Sequence, residues 1–525
     1  MKKLKLNILL VSAALMLFSS CGEGFDDMNV NPNSPEVVPT YSVFNNANRR
    51  VFDFTRDAWM SGRGTLPWVQ YSAQINYLEE DKYQYRPSTA QTGWDQLYRS
   101  AANYKQIMEF ASDPATANSM SAYGSLDNQI AASRVMSTYV FLLLVEHFGD
   151  VPYWSYGGQS NPDFQALQIE SYMQPKYAKQ PDIYADMLKE LREASAQFDT
   201  GAAVFTQGDN IYGGNATQWK KLANSLRLRI ANRVKDVYPQ ATAEMADAVA
   251  QGVFTSNADN AKHSYGNTAN EGSPFWAAYF GASPRIDFAV NDRFINLLKG
   301  ETGPFSTDPR LQKMAAPKGL TLPQVAAGNY TETDDLDMYQ GMPYGLPANR
   351  VSANNPIAGL SFFSQRILSP NYEEVLIEYA EVEFILSEMN GWSQTNYING
   401  IQASMEHWGV DADRIASYIS TVPAANRENV LIQKYIALFM QPQEAWSEIR
   451  RTGVPGGDIL LLPGATGYEI DGTPYVFVPL EAINYIPYRM RYPEKEQTLN
   501  NNNWLQGLQS LANGDNLDSK LWWIP

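Results

Sequence analysis

The sequence predicts a mostly α-helical fold, a helical scaffold carrying long irregular loops. Three observations support this expectation. Apolar residues recur at helical spacing in several segments that also carry start and stop signals. No alternating run is long enough for a large sheet, and the intervening stretches are loaded with Gly, Pro, Asn and aromatics. At 525 residues the chain exceeds the roughly 250 to 300 residues at which one core stops growing, so a large helical array or two fused lobes is expected.

From the N-terminus, Lys2, Lys3 and Lys5 precede an apolar run over residues 6–18, then Ser19, Ser20 and the sole cysteine, Cys21. Residues 1–20 read as a secretory signal peptide, because the run is shorter than the about 20 apolar residues of a membrane span. The tract Phe18-Ser19-Ser20-Cys21 resembles a bacterial lipobox, with Phe18 where Leu is more usual. Cys21 is then the acylated first residue of the mature protein, and several acyl chains give stable anchoring. Ordinary signal cleavage that leaves a free thiol is the alternative. Residues 21–39 read as a flexible tether, since the Asn31-Pro32 and Ser34-Pro35 steps favour turns and extended backbone. Residues 40–525 form the body.

Within the body, a helix is predicted over 126–148, closed by Gly149 with Pro152 following. Another begins near Asn215, where Trp219, Leu222, Ala223, Leu226 and Ile230 share a face. A third is expected over 372–390, with the stripe Val375, Tyr379, Val382, Leu386 and Met389 closed by Gly391. A fourth spans 431–450 and stops at Gly453 and Pro455. Shorter helices are expected at 91–112, 181–198, 240–251 and 396–408. The stretches 150–180, 255–285 and 300–365 read as loops long enough to carry function.

Composition excludes several function classes. Once Cys21 is lipidated, no thiol remains for disulfides, nucleophilic chemistry or zinc. The formal charge is −16, and −19 without the three signal-peptide lysines (37 basic against 56 acidic residues), which repels phosphate backbones and argues against nucleic acid. His147, His263 and His407 are scattered, so histidine-based catalysis or metal binding has little support. No Gly-x-Ser-x-Gly, P-loop or His-Glu-x-x-His pattern occurs. By contrast, 12 Trp, 31 Tyr and 22 Phe suit stacking surfaces or a large core.

The richest aromatic neighbourhood holds Trp59, Trp68, Tyr71, Tyr77, Tyr83 and Tyr85, interleaved with Arg56, Arg63, Gln70, Gln74 and Asn76. Sugar rings present C–H faces that stack on such planes, while amides and Arg bind hydroxyls; peptides can use the same chemistry. Trp59, Arg63, Trp68, Tyr71, Asn76 and Tyr77 are therefore candidate ligand-binding residues, against the plain alternative of core packing. Trp276 and Tyr279 form a second candidate, in a loop flanked by Gly272 and Gly281. Glu374, Glu378, Glu381 and Glu388 fall on one face of the predicted helix, where a solvated or Arg-paired surface is expected rather than an acid and base pair for glycoside hydrolysis. Asp334, Asp335 and Asp337 are candidate ligands for a structural Ca²⁺ together with backbone carbonyls, but the Asp-x-Asp-x-Asp-Gly pattern of a calcium loop is absent and an acidic turn is the plain alternative. Arg227, Arg229 and Arg233 read as surface or salt-bridge residues, and His147 as a cap at a helix C-terminus.

Several ordered segments together resemble the SusD/RagB family of nutrient-binding outer-membrane lipoproteins. They are the tether Phe25-Asp26-Asp27-Met28-Asn29-Val30-Asn31-Pro32, the stretch 134–153 (RVMSTYVFLLLVEHFGDVPY), and 379–388 (YAEVEFILSE). Next come 433–439 (QKYIALF), 444–453 (EAWSEIRRTG) and 486–493 (IPYRMRYP), followed by Glu496 and Asn500. The tether and Glu381-Val382-Glu383-Phe384 are most similar to a SusD-like branch distinct from the starch-binding archetype. The resemblance implies TPR-like helix pairs on one side and a ligand surface of loops on the other. It also implies a non-enzymatic lid on a SusC-like TonB-dependent transporter, fed with oligosaccharide or peptide, with no cofactor. Glu23, Asp26 and Asp27 resemble the signals that send such lipoproteins to the cell surface. An exported lipoprotein that hydrolyses glycans is the main rival, and a purely structural lipoprotein a third class.

Overall fold

The computed structural model describes residues 38–281, 284–347 and 359–525, so the signal peptide, Cys21 and all of the tether before residue 38 lie outside the described residues. From the N-terminal side, helices α1 (Thr40–Thr55), α2 (Pro87–Ser112), α3 (Leu126–Phe148), α4 (Gln180–Gln197), α5 (Ala216–Arg233) and α6 (Ala241–Gln251) each pack on the next. After a short α7 (Pro274–Phe280), helices α8 (Tyr379–Met389), α9 (Gln394–Trp408), α10 (Arg427–Ala437) and α11 (Pro442–Thr452) complete the scaffold. In that second group α8 packs on α9 and α10, and it also meets α5.

Local signals set the ends of these helices. Ser125 caps α3 by accepting from the Asn128 N–H, and Gly149 ends it at φ 99°, a conformation that costs glycine nothing. The Asn215 side chain accepts from the Thr217 and Gln218 N–H groups at 3.0 and 3.2 Å, a cap that contributes about 1 kcal/mol. α3 is long and apolar enough to cross a membrane, yet it is buried from Asn128 to Phe148 and serves as the core helix of a folded body. The core is continuous from Phe44 to Ile524.

Buried ion pairs tie the two helix groups together. Arg229 of α5 donates through Nε to Glu381 of α8 at 2.7 Å. Arg233 reaches Glu146 of α3 at 2.8 Å and also Glu444 and Glu448 of α11, and within the second group Arg451 of α11 grips Glu388 of α8 at 2.8 Å. Removing one member of such a set leaves an uncompensated charge in low dielectric, which costs about 3 to 5 kcal/mol.

The structure corrects several expectations. Residues 372–390 are not one helix: Glu374–Ile377 form strand β4, which pairs antiparallel with β2 (Ala261–His263), and α8 starts only at Tyr379. Residues 431–450 split into α10 and α11, because Met440 takes φ 68° and Pro442 has no N–H to continue a ladder. Arg227, Arg229 and Arg233 are salt-bridge residues, as one of their two expected roles has it, but they are buried and not on the surface. His147 is buried and pushed down to about 4, chiefly by desolvation, so it carries no charge to the helix end at neutral pH.

Among the described residues strands occur only in short pairs. β1 (Ser72–Gln74) pairs antiparallel with β3 (Phe288–Val290) in the register Ser72 with Val290 and Gln74 with Phe288; β5 (Thr466–Tyr468) pairs with β6 (Pro474–Val476). The β1 and β3 pair brings the 57–85 segment against the 285–288 segment.

Candidate functional site

Between α1 and α2 the chain makes one π-helical turn, Ser61–Thr65, in which Gly62 N–H donates to the Asp57 carbonyl and Thr65 N–H to the Met60 carbonyl, each five residues back. Such turns are rare and recur at functional sites. Gly62 makes it feasible, since a Cβ there would sit 2.9 Å from the Phe288 ring. Asp57 starts the segment: its carboxylate accepts from the Trp59 and Met60 N–H groups at 2.9 and 2.7 Å and thereby fixes the backbone of Trp59. Burial pushes Asp57 up to about 7 against the pull of those hydrogen bonds.

The result is a layered stack. The Arg63 guanidinium lies 4.5 Å from the Trp59 ring centroid and 4.6 Å from that of Tyr77, so one cation is held by two rings. Arg285 approaches the same indole at 5.3 Å. Arg63 itself is buried at 6% exposure and bound to Asp287 at 2.7 Å and Glu80 at 3.5 Å, whereas Trp59 and Tyr77 are 42% and 50% exposed. Two large rings are thus presented to solvent on a charged, buried clamp.

Backbone strain accompanies the stack. Gln70, Tyr77 and Tyr83 all adopt positive φ between 56° and 64° without being glycine, at a cost of order 1 to 3 kcal/mol each. Contacts just before Tyr77 hold the chain there: Ile75 N–H donates to the Asp287 carbonyl at 2.6 Å, and the Asn76 amide to the Ile286 carbonyl at 3.1 Å. Beside Trp59 lies a cleft of about 310 Å³ whose wall includes Phe54 and the hydroxyls of Ser88, Thr89 and Thr92. Flat rings beside hydroxyl donors can hold the apolar face and polar edge of a sugar or peptide unit.

A SusD-like family model described as "starch-binding associating with outer membrane" matches residues 32–493. The chain belongs to the SusD-like family. Solved structures share the fold of this SusD-like chain. A Bacteroidetes AC2a SusD-like protein has a TM-score of 0.73 at 22% identity, covering 93% of this chain and 100% of that one. A chitin-binding protein has a TM-score of 0.71 at 24% identity, covering 91% and 99%. A SusD homolog from Bacteroides fragilis has a TM-score of 0.69 at 22% identity, covering 93% and 100%. No curated protein sequence matches this one.

Of the expected site residues in this SusD-like protein, Trp59, Arg63, Asn76 and Tyr77 come together. Trp68, Tyr71 and Tyr279 do not face solvent and are corrected to core residues. Trp68 packs on Trp446 at 5.0 Å, Tyr71 stacks on Tyr435 at 4.7 Å, and the Tyr279 hydroxyl donates to the Phe288 carbonyl at 3.0 Å. The expected loop around Trp276 is the helix α7, capped by Ser273; Trp276 is half-buried beside Phe280 at 6.0 Å. Asp57, Arg285 and Asp287 were not expected. Asp57 carries a local signal, an Asp two residues before Trp59, while Arg285 and Asp287 are joined to Arg63 only by tertiary pairing.

Glu374 and Glu378 lie off the helix, and Glu381 and Glu388 are Arg-paired but buried, not solvated. Asp334 pairs with Arg414 at 2.8 Å, and Asp335 accepts from the Asp337 N–H at 3.1 Å, the geometry of an acidic turn. Among the described residues no group of three or more His, Cys, Asp or Glu is placed to hold a metal.

Proposed function

We propose that the protein is a surface lipoprotein, anchored through Cys21 after removal of residues 1–20, which captures an oligosaccharide or peptide and delivers it as a lid to a SusC-like TonB-dependent transporter. The exposed Trp59 and Tyr77 rings clamped on buried Arg63 are the observation that carries this reading. Rings held rigidly before the ligand arrives lose little freedom on binding, so the contact energy is retained. Ser88, Thr89, Thr92 and Asn76 supply the polar edge, with Trp276 as a further candidate on α7. The family description and the chitin-binding relative favour oligosaccharide over peptide.

Hydrolysis of glycans needs two carboxylates flanking the scissile bond. The burial of Glu381 against Arg229 supports binding instead. Calorimetric titration with maltoheptaose, chitohexaose and mixed peptides, with product analysis of the same samples, tests the proposal: heat of binding without new products is the expected result.

A further inference from the structure

A second cleft, of about 770 Å³, shares no lining residue with the clefts beside Trp59 and Arg63. It opens between the 364–373 segment, the region around Lys313 and Glu332, and the C-terminus of α9. At its edge Arg366 is exposed, with Nη2 donating to the His407 carbonyl at 2.6 Å and the guanidinium 5.3 Å from the Trp408 ring centroid. Among the described residues Arg366 has no carboxylate at ion-pair distance. The other cations there are matched: Lys313 pairs with Glu332 at 2.7 Å, and Lys262 pairs with Glu373. His407 adds no charge, because desolvation and the nearby Arg366 and Lys262 push it down to about 3. On a chain of formal charge −16, one unmatched guanidinium over an indole is a local positive spot.

The remaining lining is suited to a sugar. Tyr265 and Tyr330 are half-buried rings, and Gln365, Ser369 and Asn371 offer amides and a hydroxyl. Trp408 lines the same cleft and its buried Nε1 has no hydrogen-bond acceptor among the described residues. An unmet buried donor costs about 1 to 3 kcal/mol until something accepts from it.

We propose that this cleft is a second binding site, specific for a glycan unit bearing a carboxylate, a uronate. The Arg366 N–H groups not used by His407 bind the carboxylate, a charge-assisted contact about twice as strong as a neutral one. Tyr265 and Tyr330 border the ring, and the amides meet its hydroxyls. The site stands on its own residues and does not depend on the Trp59 platform.

Titration of the full mature chain with trigalacturonic acid, maltotriose and triglutamate tests it. The expected result is binding of trigalacturonic acid that weakens with added salt, falls about tenfold or more in Arg366→Gln, and is unchanged in Trp59→Ala. Asn371→Asp, which places a carboxylate in the same cleft without touching the α9 terminus, is expected to weaken it similarly, with melting temperature as the folding control for both variants. Absence of trigalacturonic acid binding, binding untouched by both cleft variants, or loss in Trp59→Ala instead would overturn the proposal. Equal binding of triglutamate would overturn the assignment to a glycan.

Discussion

Arg63 donates a 2.7 Å hydrogen bond to Asp287 across 224 residues of sequence, and both side chains are buried. This pair joins the π-helical turn to the segment entering β3 and sets the plane against which Trp59 and Tyr77 lie. Asp287→Ala removes the better of the two carboxylates on Arg63 and leaves Glu80 at 3.5 Å. We expect a loss of about 3 kcal/mol in stability by chemical denaturation, together with weakened ligand binding.

Arg233 sits among Glu146, Glu444 and Glu448, with the Arg450 guanidinium nearby on the Glu146 carbonyl. Arg233→Ala leaves these carboxylates close together and desolvated. The expected cost is about 3 to 5 kcal/mol, read from denaturant midpoints, and the variant should recover part of it at acidic pH as the freed carboxylates protonate.

Stability should also decline as pH rises from about 4.5 to about 8. Glu374 and Glu378 are buried and pushed up to about 8 by desolvation, with Arg56 and Arg310 respectively opposing the shift. Their folded values lie above the ordinary 4.5, so the folded state binds more protons than the unfolded chain between those limits. Their contribution is full below about 4.5 and is lost as pH rises through about 8. Glu378→Gln should flatten the decline in melting temperature between these limits; a decline equal to that of the wild type would count against it. Glu388 works in the opposite sense: Arg451 and Lys235 hold it down to about 2 against its burial, so its contribution is lost as pH falls from about 4.5 toward 2.

Much of the helical scaffold is legible from caps and stripes, as α3 and α5 show: Ser125, Gly149 and Asn215 mark their ends in the chain itself. β4 is not legible, because Val375 and Ile377 continue the apolar pattern of α8, and only pairing with Ala261–His263 selects the extended form. The same limit applies to the site. Trp59 and Trp68 look alike in sequence, yet one is presented to solvent and the other packs on Trp446, a partner supplied by α11. The clamp beneath the rings depends on Asp287, which no local spacing connects to Arg63. The position of His147 in the chain favours a charged cap, whereas its burial is a property of the whole core.

Cys21→Ser should move the protein from the membrane fraction to the soluble fraction, since the apolar run 6–18 is shorter than a span and the net acidic charge disfavours adsorption to anionic lipid. Metabolic labelling with a fatty acid should mark the wild type and not the variant. A variant that stays with the membrane would rule out the lipid anchor.

The most direct measurement is calorimetric titration of the mature chain with maltoheptaose, chitohexaose and peptides, repeated in Trp59→Ala and Tyr77→Ala. Both rings are about half exposed and each lies against the Arg63 guanidinium, so loss of either should cost only about 1 kcal/mol of stability and leave the chain folded. We expect at least one ligand to bind the wild type without being cleaved, and each substitution to weaken that binding about tenfold or more, equivalent to about 1.4 kcal/mol. Binding that survives the loss of both rings, or release of cleaved product by the wild type, would contradict a ligand platform at Trp59 and Tyr77.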